Sequence, residues 1–222
     1  MTILPLTLGV GRVSGTEKRG GIAFSYSKQD VAKIHQRDGN SCRFCGFHSQ
    51  RYQKVAHADG HDDPVTACVF CEQCRTMDRS GVAGAGVLVW LPEIDQASLN
   101  HIVRSAYVAK AAGGEIATLA GRALDTVLAR RNEAKKRLGS DDPLLLATVL
   151  YENFDDQEYK KILPKIDGIR LFVHDKYLGV GSVNVFPKMV DYWRSEQGAY
   201  AQLQPEAWLD MFKAVNDKAG HA

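Results

Sequence analysis

The feature that most constrains this chain is a group of cysteines confined to the stretch between Ser41 and Arg75. The chain's cysteines are Cys42, Cys45, Cys68, Cys71 and Cys74. They include two Cys-x-x-Cys pairs separated by a loop, and each tight turn of this kind delivers two thiolates from one side of a tetrahedral site. The spacing therefore predicts a structural zinc ion that holds the fold together.

The identity of the second pair is open from the spacing alone. Cys71 can pair backward with Cys68 or forward with Cys74, and four ligands require only two of these three. His48, just beyond Cys45, is a fallback ligand. A disulfide framework is disfavoured, because the number of cysteines is odd and the N-terminus M-T-I-L-P-L-T lacks the basic and apolar regions of a signal peptide. We therefore expect reduced, metal-binding cysteines in a cytoplasmic protein.

Composition narrows the class of protein and its partners. A length of 222 residues allows one sizeable core, or a small domain with another appended to it. The hydrophobic fraction of 45% and the charged fraction of 24% are ordinary for a soluble globular protein, and no apolar run approaches the length of a bilayer span. The net charge of +2 supplies no broad positive field, so nucleic acid is not the expected partner.

The periodicity of apolar residues changes near residue 94. Before it, short strands are predicted at 3–13, 22–24 and 87–90, with a helix capped by Ser27 and Asp30 and a glycine-rich connector at 81–86. After it, helices are predicted from Asp95, from 116 to 137, from 142 to 150, and over 155–166, 188–194 and 206–215, with one strand near 171–174. We therefore expect an α+β protein with small β-hairpins in a zinc-binding lobe, residues 1–94, and a mainly α-helical lobe, residues 95–222, packed on it.

Two other groups of residues suggest alternative functions. The loop between the cysteine pairs carries His57, Asp59, His61, Asp62 and Asp63, and imidazole with carboxylates suits Mg²⁺ or Mn²⁺ in a nuclease that uses His57 as its general base. A turn rich in Asp, Gly and Pro needs no metal, so a solvated loop is favoured. The helix end R-R-N-E-A-K-K-R supplies a basic cluster for a zinc-knuckle nucleic-acid binder, namely Arg130, Arg131, Lys135, Lys136 and Arg137. A well-terminated, solvated helix end is favoured there as well.

The cysteine strings resemble a known zinc fold. D-G-N-S-C-R-F-C-G followed by V-T-A-C-x-x-C looks like the zinc-stabilised subset of the HNH endonuclease (ββα-metal) family. This resemblance implies an HNH-like zinc fold and selects the metal ligands Cys42, Cys45, Cys68 and Cys71. The catalytic pattern is eroded, because Ala56 stands where the nucleases have Asp before the histidine, and Glu72 stands where they tend to have Asn. No enzyme activity is therefore expected.

Longer strings give a more specific resemblance. I-H-Q-R-D-G-N-S-C-R-F-C-G, the V-T-A-C-V-F-C-E-Q-C run with its third cysteine, and the helix start L-P-E-I-D-Q-A-S-L-N are very similar to the IcmJ/DotN component of Dot/Icm-type (type IVB) secretion systems. The resemblance implies a non-catalytic adaptor at the inner membrane, bound peripherally through a coupling complex. Its implied partners are the coupling ATPase (DotL-like), through its extended tail, and companion subunits (DotM-like), and its implied role is to help recruit substrates. Four thiolates would leave the zinc no open position for water.

Overall fold

The computed structural model describes residues 2–10, 26–58, 63–177, 179, 182–202 and 210. The helices in this part of the chain are α1 (Lys28–Arg37), α2 (Val69–Arg75), α3 (Met77–Val82), α4 (Gln96–Lys110), α5 (Gly114–Ala129), α6 (Arg131–Leu138), α7 (Pro143–Asn153), α8 (Asp156–Ile162) and α9 (Phe186–Arg194). The strands are β1 (Gln53–Ala56), β2 (Val65–Cys68), β3 (Gly86–Trp90) and β4 (Ile169–Val173). The predicted strand at 22–24, and all but residue 210 of the predicted helix at 206–215, lie outside the described residues.

The first sheet is an antiparallel hairpin that leads directly into a helix. Strands β1 and β2 pair with Gln53 opposite Cys68 and Ala56 opposite Val65, and α2 begins at the next residue, Val69. Helix α1 packs against both strands and begins at the predicted capping box, where the Ser27 hydroxyl accepts from the backbone N–H of Asp30 at 3.1 Å. The hairpin and the two helices together form a small layer around the cysteines.

A buried carboxylate ties α1 to this hairpin. Asp38, only 3% exposed, accepts from the backbone N–H of Thr66 at 2.7 Å and forms salt bridges with Arg37 at 3.0 Å and Arg43 at 3.4 Å. Burial by itself would raise the pKa of Asp38, but the hydrogen bonds from Arg37 and Thr66 outweigh it, and the pKa lies below its ordinary value. The carboxylate therefore stays ionised and holds the end of α1 against β2.

The second sheet joins distant parts of the chain. Strands β3 and β4 are antiparallel, with Gly86 opposite Val173 and Trp90 opposite Ile169, so the sheet pairs a segment before residue 94 with one after it. One hydrophobic cluster contains buried residues from Leu4 to Trp193 and includes the cysteines. The division into residues 1–94 and 95–222 stays a prediction. The observed elements are small antiparallel sheets and a mainly helical C-terminal part, which agrees with the expected α+β class.

Three predicted elements differ from the structure. Of the strand predicted at 3–13, residues 11–13 lie outside the described residues, and residues 3–10 form no strand. Gly9 instead donates to the carbonyl of Cys74 at 2.8 Å and accepts from Met77 N–H at 2.9 Å. The long helix expected to reach residue 137 stops at Ala129, and α6 begins after a bend at Arg130, whose ψ of −9° departs from the helical value. The carbonyl of Arg130 accepts both from Ala134 N–H within α6 and from Trp90 N–H of β3, each at 3.3 Å. The helix expected over 155–166 becomes a 3-10 helix after Ile162, where Pro164 supplies no backbone N–H.

In the described ranges, we find no helix with the length and apolarity that a bilayer span requires.

Candidate metal centre

Four cysteine thiols converge in the layer built by the first hairpin. The sulfur atoms of Cys42, Cys45, Cys68 and Cys71 all lie within 4.8 Å of one another. Three of these cysteines, Cys42, Cys68 and Cys71, are buried, and Cys45 is partly exposed. The sulfurs of Cys45 and Cys68, one from each pair, are 3.7 Å apart, so the two Cys-x-x-Cys pairs meet as the spacing predicted.

The first pair sits on a tight turn closed by backbone hydrogen bonds. Cys42 N–H donates to the carbonyl of Phe47 at 3.0 Å, and Gly46 N–H donates to the carbonyl of Cys42 at 2.8 Å. Gly46 has φ +74°, in the left-handed region that glycine adopts without a steric penalty. This turn reverses the chain directly after Cys45 and leaves both sulfurs on the same side.

The second pair uses the junction between a strand and a helix. Cys68 is the last residue of β2 and, with φ −74° and ψ 161°, the N-cap residue of α2. Cys71 lies in the first turn of α2, so both sulfurs project toward the first pair across the hairpin. All four residues of β2 are buried, which fixes this junction in the core.

A second layer around the sulfurs comes from one face of α4. Arg104 Nη1 donates to Cys68 Sγ at 3.3 Å, and Asn100 Nδ2 donates to Cys71 Sγ at 3.4 Å and to Cys74 Sγ at 3.6 Å. His101 Nε2 contacts the carbonyl oxygen of Cys45 at 2.7 Å. Three side chains of one helix therefore reach three of the four clustered cysteines.

The orientation of Asn100 is fixed by a chain of hydrogen bonds from the second sheet. Gln96 Nε2 donates to Asn100 Oδ1 at 2.9 Å and to the carbonyl of Leu171 at 3.0 Å, while Gln96 Oε1 accepts from Leu171 N–H at 2.8 Å. The amide oxygen of Asn100 is thus occupied, which turns its N–H groups toward the sulfurs. The cysteine cluster and the β3–β4 sheet are connected through these two buried amides.

The chemistry of these donors fits a metal held by thiolates. Hydrogen bonds from Cys42, then from Cys68 and Cys71, lower the pKa of the Cys45 thiol, whereas burial raises the pKa values of Cys42 and Cys71. A closed group of sulfur ligands, most of them buried, matches what zinc takes in structural sites. The four cysteines can therefore bind a metal ion such as zinc.

Two other candidate ligands lie outside the group of four. Cys74 is fully buried and contacts Asn100, and burial raises the pKa of its thiol as it does those of Cys42 and Cys71. His48 is exposed, and its Nδ1 contacts the carbonyl of Gly39 at 3.1 Å and the hydroxyl of Ser41 at 3.3 Å. Neither residue belongs to the group of ligand atoms that lie within 4.8 Å of one another.

The residues of the alternative nuclease site are only partly described. His57 Nε2 lies 2.6 Å from the hydroxyl of Tyr26, and burial lowers the pKa of its imidazole. Asp59, His61 and Asp62 lie outside the described residues. In the described ranges, His57 and Asp63 are not part of any group of ligand atoms close enough to hold a metal.

The basic residues of the alternative nucleic-acid site are paired with carboxylates. Asp141 binds Arg131 at 2.5 Å and Lys135 at 3.5 Å, and Glu133 binds Lys136 at 3.5 Å and Arg137 at 3.0 Å. Glu93 binds the remaining residue of the cluster, Arg130. The cluster therefore shares its positive charge with three acidic side chains, as expected for a solvated helix end rather than for a phosphate-binding surface.

Sequence reasoning missed the contribution of α4. The apolar stripe that it predicted, with Leu99, Val103 and Ala106, is buried, but Gln96, Asn100 and Arg104 are buried too. These three polar residues recur every fourth position and so share one side of the helix. That spacing was available in the sequence, but a polar stripe ordinarily faces solvent, and only the packing shows that this one faces sulfur.

Comparison with known proteins gives one informative match. No protein-family model matches the chain. A stretch of 78 residues is 44% identical to the type 4 apparatus protein DotN of Legionella pneumophila subsp. pneumophila, strain Philadelphia 1. The stretch covers 32% of this chain and 36% of the relative, so the chain matches about a third of that protein's length. This partial similarity agrees with the resemblance stated above and links the chain to a type IV secretion component.

Proposed function

We propose that this chain is a non-catalytic, zinc-stabilised adaptor subunit of a type IVB secretion coupling complex. The observation that carries the proposal is the match to a type 4 apparatus protein, combined with four clustered thiols of the kind that form closed structural zinc sites. In this proposal Cys42, Cys45, Cys68 and Cys71 hold one zinc ion in an HNH-like ββα arrangement. The order of β1, β2 and α2 supports that arrangement.

The zinc has a structural role in this proposal. Four thiolates complete its coordination, which leaves no position at which a water molecule is activated. The metal instead contributes folding energy to the hairpin and to the helices that pack on it. In this proposal the protein acts by binding other proteins through the surface of the zinc-stabilised layer, and it has no reaction centre.

The proposed partners are the tail of a coupling ATPase (DotL-like) and companion subunits (DotM-like). The protein would be cytoplasmic, held at the inner membrane through the complex, and would help to recruit substrates to the secretion channel. The resemblance in sequence supports these assignments, and the pairing of the basic cluster with acidic residues weighs against nucleic acid as the partner.

The test is co-purification of the full chain with the C-terminal region of the coupling ATPase from the same organism. We expect a stable complex whose mass fits defined stoichiometry, and the same complex from an Arg122→Met control, whose exposed side chain lies on α5. Absence of binding to every coupling subunit tested would contradict the adaptor role. Plasmid cleavage with Mg²⁺ or Mn²⁺ that His57→Ala abolishes would favour the nuclease instead.

A further inference from the structure

The guanidinium of Arg104 is a buried cation placed against the cysteine cluster. Arg104 is 0% exposed, whereas Lys110, the other charged residue of α4, is exposed. A buried cation is costly unless an anion and hydrogen-bond acceptors compensate for the lost water. The groups around Arg104 therefore indicate what supplies the negative charge.

Within the described residues, the polar contacts of Arg104 include no carboxylate. Nη1 donates to Cys68 Sγ at 3.3 Å, Nε donates to the hydroxyl of Tyr200 at 3.2 Å, and Nη2 donates to His101 Nδ1 at 2.9 Å. The guanidinium carbon lies 3.8 Å from the ring centre of Phe47 and 5.4 Å from that of Phe70. The aromatic rings and the hydroxyl stabilise the cation but carry no full negative charge.

The neighbouring histidine does not share the charge. An arginine nitrogen only donates, so His101 Nδ1 accepts, and Nε2 then carries the proton that it donates to the carbonyl of Cys45. This pair of contacts, one accepting and one donating, fits the neutral ring. Arg104 is therefore the cation at the cluster, and His101 holds its guanidinium in place.

We propose that Arg104 is the counter-ion of the metal cluster and fixes Cys68 as a thiolate ligand. The inference rests on the zinc site proposed above. Four thiolates around a divalent ion retain net negative charge, and Arg104 is the buried positive charge that contacts one of their sulfurs. The guanidinium also donates to the hydroxyl of Tyr200. The same side chain therefore neutralises the cluster and binds the segment that follows α9.

The experiment compares zinc affinity, by competition with a chromophoric chelator, in the wild-type chain, Arg104→Met, Arg104→Lys and the exposed control Arg122→Met. Loss of a group that supports a metal ligand ordinarily lowers metal affinity by about 10–100-fold, and we expect this for Arg104→Met. Arg104→Lys keeps the charge without the planar fork and should recover most of the loss. Arg122→Met should match the wild type.

A second measurement separates a counter-ion from a packing residue. In the cobalt-substituted chain, the thiolate-to-metal charge-transfer band should shift in Arg104→Met, since Cys68 loses a charged donor, and remain unchanged in Arg122→Met. Equal zinc affinity in Arg104→Met and wild type, or equal losses in Arg104→Met and Arg104→Lys, overturns the counter-ion role. If Arg104→Met does not fold, Arg104→Lys is compared with the wild type: a zinc affinity close to that of the wild type supports the counter-ion role, and a loss of about 10–100-fold overturns it. A wild-type chain that binds no zinc overturns the zinc proposal itself.

Discussion

The choice of Cys68 over Cys74 as a metal ligand gives the most discriminating prediction. Both side chains are buried and lie only six positions apart in the sequence, but Cys68 lies in the group of four sulfurs and Cys74 lies outside it. Replacing each by serine removes one sulfur and leaves a similar volume. The two variants therefore differ mainly in whether a ligand is lost.

The expected magnitudes are far apart. Apparent binding energies of structural zinc sites are about 10–16 kcal/mol at neutral pH, which is as large as the roughly 5–15 kcal/mol by which a domain is stable. Cys68→Ser should therefore lose the metal and unfold the hairpin region. Cys74→Ser buries a more polar hydroxyl beside Asn100 and should cost about 1–3 kcal/mol, a fall in Tm of about 2–12 °C for a chain of this size.

The assay combines metal content, by mass spectrometry of the purified protein, with thermal unfolding followed by circular dichroism with and without a chelator. Cys74→Ser should carry one zinc per chain and lose it to the chelator as the wild type does, whereas Cys68→Ser should carry none. Retention of zinc by Cys68→Ser together with its loss from Cys74→Ser would refute the ligand assignment.

Two further predictions concern packing away from the metal. Asp38→Ala should lower stability by about 1–3 kcal/mol at pH 7, because it leaves the buried Thr66 N–H without its acceptor, while the two arginines that lose their partner are partly exposed. Its pKa is lowered on folding, so its stabilisation is present above the ordinary value of 3.8 and is lost as the pH falls through the lowered folded value. Urea titrations should therefore show wild type and variant converging in acid, and a constant difference between pH 7 and strong acid would contradict the argument. Gly81→Ala should destabilise by about 1–3 kcal/mol in the same assay, because a Cβ there would lie 2.5 Å from the Cβ and backbone nitrogen of Leu144. Gly121→Ala, on the open side of α5 with nothing within 4 Å, should instead stabilise by about 0.5–1 kcal/mol, and a similar loss in both variants would argue against a specific α3–α7 contact.

Local signals predicted the elements well where they depended on neighbouring residues. The capping box at Ser27, the Asp–Pro start of α7 and the apolar spacing of α4 act over one helical turn, so the sequence contains the whole interaction. Boundaries failed where a distant group intervened. The apolar periodicity runs through the bend at Arg130, where Trp90 N–H of β3 bonds to the Arg130 carbonyl, and so it predicts one helix instead of two. The N-terminal residues bond to Arg43, Cys74 and Met77, in different segments, instead of to one strand.

The sequence by itself indicated that cysteine sulfurs between residues 42 and 74 can hold a metal, because two Cys-x-x-Cys pairs need only short turns to present their sulfurs. It left open whether Cys68 or Cys74 completes the second pair, and only the resemblance selected Cys68. The tertiary structure places Cys68 at the end of β2 and among the four sulfurs, and it places Cys74 about one turn beyond Cys71 in α2, against Asn100. It alone brings Asn100 and Arg104 onto the cluster and places Gln96 where it orients Asn100, because burial of a polar helix face depends on what packs against it, and that partner is distant in sequence.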